Sequence, residues 1–112
     1  MQNAGSDITT VDAKDVKKLL DENQNIIILD VRTPMEVKNG RIPQSINIPL
    51  DEIEERVEKA LPDKKKSIYA YCLSGSRSIF AAALLKKMGY SNVFNVQSGM
   101  LSWRANKFPI DE

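Results

Sequence analysis

The chain has 112 residues, enough for one domain with one ordinary core. Charged residues make up 28% and the formal net charge is +1, so there is no electrostatic basis for binding nucleic acid or an anionic membrane. It has no histidine and one cysteine, which excludes Cys-His and Ser-His-Asp machinery, a zinc site built on histidine or several thiolates, an internal disulfide and a Cys-x-x-Cys redox pair within the chain.

Residues 1–7, Met1-Gln2-Asn3-Ala4-Gly5-Ser6-Asp7, are polar and lack a signal-peptide core. They are expected to be disordered or a remnant of expression, with one domain over 8–112. No apolar run approaches the roughly 20 residues a membrane span needs. A cytoplasmic location and a monomer are expected, although a signal removed earlier would leave no trace in the sequence.

Ile8-Thr9-Thr10 predicts a short strand. Asp12 is a candidate N-cap for a helix with Val16, Leu19 and Leu20 at i, i+3 and i+4, ended by Asn23 to Asn25. Ile26 to Leu29 is apolar on both faces, which suits a central strand of a parallel sheet. Thr33-Pro34 reads as an N-cap with proline at N1, opening a short helix that Asn39-Gly40 stops. Ser45 to Ile48 predicts a third strand closed by Pro49. Asp51 is a candidate cap for a helix carrying Ile53, Val57 and Leu61, and Lys64-Lys65-Lys66 reads as a solvated turn.

Ile68 to Tyr71 predicts a strand, and Ile79 to Met88 a helix with Phe80, Leu84 and Met88 on one face and Ala81 and Leu85 on the next. Gly89 is a C′ candidate. Val93 to Val96 is the last strand. Ser98-Gly99 turns into a final helix with Met100, Leu101 and Trp103, before Lys107-Phe108-Pro109. Alternating strands and helices imply an α/β domain with a mostly parallel central sheet of about five strands flanked by helices. Ligands of such sheets bind beyond the carboxyl ends of the strands, where Cys72 lies.

Between that strand and helix runs Cys72-Leu73-Ser74-Gly75-Ser76-Arg77-Ser78. A lone cysteine is ordinarily a small buried hydrophobe, and a free thiol with a pKa near about 8.5 is mostly protonated at neutral pH. Three features of this loop favour the thiolate. The first turn of the following helix leaves N–H groups unpaired. Gly75 accommodates the positive φ that lets amides converge on an anion. Arg77 adds positive charge and a fork of donors. Ser74, Ser76 and Ser78 are further hydroxyl donors, and no residue between Cys72 and Arg77 is acidic.

Four stretches together resemble the rhodanese-like sulfurtransferase family in its single-domain form. They are Asp30 to Glu36, Gly40 to Pro49, Cys72 to Ser78, and Ser98-Gly99-Met100 with Trp103 and Phe108-Pro109. The resemblance implies a rhodanese-like domain in which Cys72 is the catalytic residue and Leu73, Ser74, Gly75, Ser76 and Arg77 bind substrate, with no cofactor or metal. Cys72 would take sulfane sulfur from a donor such as thiosulfate as a persulfide. It would pass that sulfur to cyanide, a thiol or a protein acceptor. Ser76 would be a hydroxyl donor and Arg77 a contact for the donor's sulfonate. Arg41 stands where the family often has histidine, and Ser98 where it often has a second glycine. Asp30 and Arg32 would be structural, and Tyr69 and Trp103 packing residues.

Two other functions fit parts of this pattern. One is a persulfide carrier or binding module serving protein partners. The other is a cysteine-dependent phosphatase or arsenate reductase, a class with a related fold. Cell-cycle phosphatases of that kind have a loop one residue longer than the four residues Leu73 to Ser76.

Overall fold

The computed structural model describes residues 8–112; the expectation for residues 1–7 lies outside the described residues. Five parallel strands, β1 (Thr9–Val11), β2 (Ile27–Asp30), β3 (Ile46–Asn47), β4 (Ile68–Tyr71) and β5 (Val93–Val96), form one sheet in the order β1-β5-β4-β2-β3. The helices are α1 (Ala13–Asp21), α2 (Pro34–Lys38), α3 (Ile53–Ala60), α4 (Ser76–Lys87) and α5 (Gly99–Ala105). A 3-10 turn, Leu50–Glu52, precedes α3.

Successive strand residues face opposite sides of the sheet. On one side Leu29, Ile68, Cys72 and Val93 pack with Ile53 and Val57 of α3 and Ala81, Ala82 and Leu85 of α4. On the other Ile28, Tyr69, Tyr71 and Val96 pack with Ala13 and Val16 of α1 and Met100 and Trp103 of α5. Burial on both faces explains why β2 and β4 read as continuous apolar runs.

Local signals place the helix starts. The Asp12 side chain accepts from Asp15 N–H at 3.0 Å, and the Asp15 carboxylate accepts from Asp12 N–H at 3.1 Å. Thr33 and Glu36 make the same reciprocal box at α2, with Pro34 at its first position. Three expectations differ from what is observed. Asp51 does not cap α3, because the 3-10 turn continues directly into that helix without a side-chain cap. Phe80 is 70% exposed, because Ser78, Ala81, Ala82 and Leu85 form the buried face of α4. Lys64 is anchored: its ammonium donates to Glu58 at 2.7 Å and to the Met88 carbonyl at 2.8 Å.

The chain leaves β2 through α2 towards β3 at one edge, and leaves β4 through α4 towards β5 on the other side. The carboxyl ends of the neighbouring strands β2 and β4 therefore open into diverging loops, the topological switch point where α/β sheets place their sites. One connection runs from Asp30 into the first turn of α2 at Glu36, the other from Cys72 into the first turn of α4 at Arg77.

Candidate active site

All four residues of β4 are buried, so the strand delivers Cys72 to the sheet edge from a rigid base. Gly75, at φ +111°, turns the chain back, and α4 begins at Ser76. The turn brings Gly75 N–H to within 3.1 Å of Cys72 Sγ, to which it donates. The carbonyls of Cys72 and Leu73 are occupied elsewhere, accepting from Met100 N–H at 2.9 Å and Leu101 N–H at 3.1 Å at the start of α5. With its carbonyls held there, the loop turns amides towards the sulfur. Gly99 allows this docking, since a Cβ there would lie 2.0 Å from the Cys72 carbonyl oxygen.

The hydroxyl that reaches the sulfur belongs to Ser78, with Oγ 3.5 Å from Cys72 Sγ. It is within hydrogen-bond range of the Gly75 carbonyl at 3.2 Å and makes a short contact to Asn95 Oδ1 on β5. Burial pushes the Cys72 thiol up. The Ser78 hydroxyl and the amides of Ser78, Gly75 and Arg77 pull it down further, leaving the thiol below its ordinary value. Cys72 itself has 0% exposure, beneath the exposed residues Leu73, Ser74 and Ser76.

Arg77 is not a free cation. Its guanidinium makes a forked pair with Glu36 of α2, at 2.7 Å and 2.9 Å, with both side chains about one-third exposed. Glu36 also accepts from Thr33 N–H and Thr33 Oγ1, each at 3.1 Å. The hydrogen bonds from Arg77 hold its carboxyl down at about 2, against the opposing effect of burial.

Behind the site Asp30 and Arg32 form a buried pair, with Arg32 Nη2 2.8 Å from Asp30 Oδ2. The same guanidinium donates to the Gly40 carbonyl at 2.8 Å. Tyr71 donates to Asp30 Oδ2 at 2.7 Å and accepts from Ile42 N–H at 3.1 Å. This network ties the β2–α2 loop to β4 on the sheet face opposite Cys72. Arg41 is exposed, and its backbone pairs with Asp111 at 2.8 Å and 2.9 Å. Tyr69 stacks on Phe94 with ring centroids 4.6 Å apart, and Trp103 is fully buried. Among the described residues no group of three or more acidic, cysteine or histidine side chains is placed to hold a metal ion.

The structure thus gathers Cys72, Gly75 and Arg77 with Ser78, and leaves the side chains of Leu73, Ser74 and Ser76 at the surface. Glu36, Asn95 and Gly99 complete the arrangement and lie outside the site residues expected from the sequence. Thr-x-x-Glu at α2 is legible as a helix start, but it carries no mark of a partner on α4.

A model of the rhodanese-like domain family matches residues 12–106. A sulfurtransferase of Allochromatium vinosum is 31% identical over 103 residues, covering 92% of this chain and 94% of its own length. Thiosulfate sulfurtransferase PspE of Escherichia coli is 40% identical over 67 residues, covering 60% of this chain and 64% of its own. The crystal structure of a rhodanese-related protein from Thermoplasma volcanium aligns with a TM-score of 0.81 at 32% identity, covering 92% of this chain and 97% of that one.

Proposed function

Because the chain belongs to the rhodanese-like domain family, we propose that it transfers sulfane sulfur from thiosulfate to a thiophilic acceptor through a persulfide on Cys72. The observation that carries this reading is the Gly75 N–H directed at Cys72 Sγ from 3.1 Å. An inert buried thiol needs no such donor, whereas a thiolate nucleophile does.

The Cys72 thiolate attacks the outer sulfur of thiosulfate. A sulfur–sulfur bond forms to Cys72 as the bond to the sulfonate sulfur breaks, and sulfite leaves with the electron pair. The terminal persulfide sulfur carries the negative charge, which loop amides stabilise as they do the thiolate. Cyanide or a thiolate acceptor then attacks that terminal sulfur, leaving as thiocyanate or a new persulfide and restoring the Cys72 thiolate. The thiolate is the attacking form, and the loop amides and the Ser78 hydroxyl favour it over the thiol. A single thiol without a partner cysteine suits a reducing compartment such as the cytoplasm.

A persulfide carrier fed by a protein donor is the second reading. The forked Glu36–Arg77 pair favours it, because it neutralises the one cation of the thiol loop and weakens the pull on a thiosulfate dianion. Intact-protein mass measurement after incubation with thiosulfate tests both readings. A gain of one sulfur, about 32 Da, that reductant or cyanide removes and that Cys72→Ser abolishes supports the first. No gain from thiosulfate, with a gain from a persulfidated protein donor, supports the carrier. No gain from either donor in folded protein refutes both.

A further inference from the structure

Strand alternation puts Cys72, following β4, and Asn95, on the adjacent β5, on the sheet face that α4 covers with Ser78. All three are buried, with exposures of 0% for Cys72 and Ser78 and 5% for Asn95. They form one chain of polar atoms: Cys72 Sγ, Ser78 Oγ 3.5 Å away, then the Asn95 carboxamide in short contact with that hydroxyl.

With Cys72 as the neutral thiol, these distances suit a chain that runs outward from the sulfur. The thiol donates to Ser78 Oγ, and Ser78 gives its one proton to Asn95 Oδ1 or to the Gly75 carbonyl. A thiolate reverses the requirement, since the sulfur then accepts only. For Ser78 to donate to it, the hydroxyl proton must turn towards Sγ. Ser78 Oγ would then face Asn95 Oδ1 acceptor to acceptor at short range, in a buried place where an unmatched polar contact is costly. A half-turn of the carboxamide removes the conflict by presenting Nδ2–H to Ser78 Oγ. Among side chains of this size, an amide is suited to offer either a donor or an acceptor at one position.

We propose that Asn95 is a positioning residue whose carboxamide reverses with the charge state of Cys72, so that Ser78 donates to the sulfur in the thiolate and persulfide. Asn95 acts through Ser78 and does not touch the sulfur. The charged groups around the loop are Arg77 of α4, Glu36 of α2 paired with it, and the Asp30–Arg32 pair after β2. None of them is altered by a change at position 95.

The test is the pH profile of Cys72 alkylation by iodoacetamide, read without any sulfur donor. The chain has one cysteine, so the signal belongs to Cys72. A variant that only loosens the loop changes the plateau rate and leaves the midpoint, whereas loss of the Ser78 donor moves the midpoint. Asn95→Leu keeps the bulk and removes both polar atoms. It is expected to raise the midpoint and cut the alkylation rate near neutral pH several-fold. Ser78→Ala is expected to raise the midpoint at least as far, and the double variant no further than Ser78→Ala alone. An unmoved midpoint in folded Asn95→Leu, or a shift that adds to that of Ser78→Ala, overturns the proposal. Should Asn95→Leu fail to fold, the side-chain amide resonances of Asn95 in the unaltered protein serve instead. They are expected to move with the Cys72 titration and to lose that response in Ser78→Ala; resonances that stay fixed, or that still move in Ser78→Ala, overturn it. The inference rests on reading Cys72 as the nucleophile, but its failure is separable: a raised midpoint with no persulfide from any donor refutes sulfur transfer alone.

Discussion

Glu36 and Arg77, 41 positions apart, close a forked ion pair between the first turn of α2 and the first turn of α4. The pair spans the gap between the loops that leave β2 and β4, at the switch point of the sheet. It also sets the charge beside the thiol. The Glu36 hydrogen bonds and charge, more than the charge of Cys72, hold the Arg77 pKa above its ordinary value. The loop therefore presents amides and a hydroxyl to the sulfur, and a largely neutralised arginine at its side.

Releasing that arginine changes the response to an anionic donor. In Glu36→Gln one carboxylate charge is removed while the bulk stays, so Arg77 regains net positive charge. The KM for thiosulfate is expected to fall about 5-fold, on the order of 1 kcal/mol for a partly exposed pair, and to become more sensitive to salt. Arg77→Ala is expected to raise KM. Steady-state assays at two ionic strengths decide it. Unchanged KM in both variants removes Arg77 from donor binding.

The same carboxylate ties folding to pH. The Arg77 hydrogen bonds lower the Glu36 carboxyl from 4.5 to about 2, with help from Thr33 and against burial. A depressed carboxyl contributes stability that is complete above its ordinary pKa and is lost as pH falls through the folded value. The stability difference between the unaltered protein and Glu36→Gln should hold at neutral pH and shrink between pH 4.5 and about 2. Denaturant midpoints of both proteins across that range measure it. A difference that stays constant down to the lower limit contradicts the assignment.

The parts of this molecule that were legible in sequence are those fixed by near neighbours. Asp12 and Thr33 cap helices through contacts three residues away, and the β2 and β4 runs are apolar because both of their faces are covered. The bend at Gly75 is likewise local. What escaped depends on strand order. Asn95 meets Ser78 because β5 lies beside β4, and Glu36 meets Arg77 because β2 lies on the other side. Nothing within a few residues of either encodes that neighbour. Phe80 shows the converse limit: helical spacing groups it with Leu84 and Met88, yet Ala81 and Ala82 are what let α4 lie close on the sheet, which leaves Phe80 in solvent.

Tyr71 offers a way to separate fold from chemistry. Its hydroxyl donates to Asp30 and accepts from Ile42 N–H, on the sheet face away from the sulfur. Tyr71→Phe leaves the buried Ile42 amide without its acceptor and removes one donor from Asp30 Oδ2, which keeps those of Arg32, a loss of about 1–3 kcal/mol. Chemical denaturation should show that loss, while the pH midpoint of Cys72 alkylation stays in place. A shifted midpoint would mean the two faces of β4 are coupled.

Ser98 and Gly99 adjoin at the docking point of α5 and should respond with opposite signs. Ser98 holds φ +56°, a left-handed conformation that glycine adopts more readily than serine. Ser98→Gly is therefore expected to stabilise the fold by up to about 1 kcal/mol and to leave the thiol unaffected. Gly99 has no such latitude. A Cβ there would come within 2.0 Å of the Cys72 carbonyl oxygen and 2.9 Å of its carbon, both backbone atoms that cannot swing aside. Gly99→Ala must push α5 off the loop, breaking the bonds from Met100 and Leu101 N–H to the carbonyls of Cys72 and Leu73. The expected cost exceeds about 2 kcal/mol. The thiol should also titrate higher, because freed loop carbonyls no longer keep the amides turned to the sulfur. Thermal melts together with the alkylation profile test this. A Gly99→Ala protein that is destabilised but keeps its thiol midpoint would show that α5 supports the fold without shaping the site.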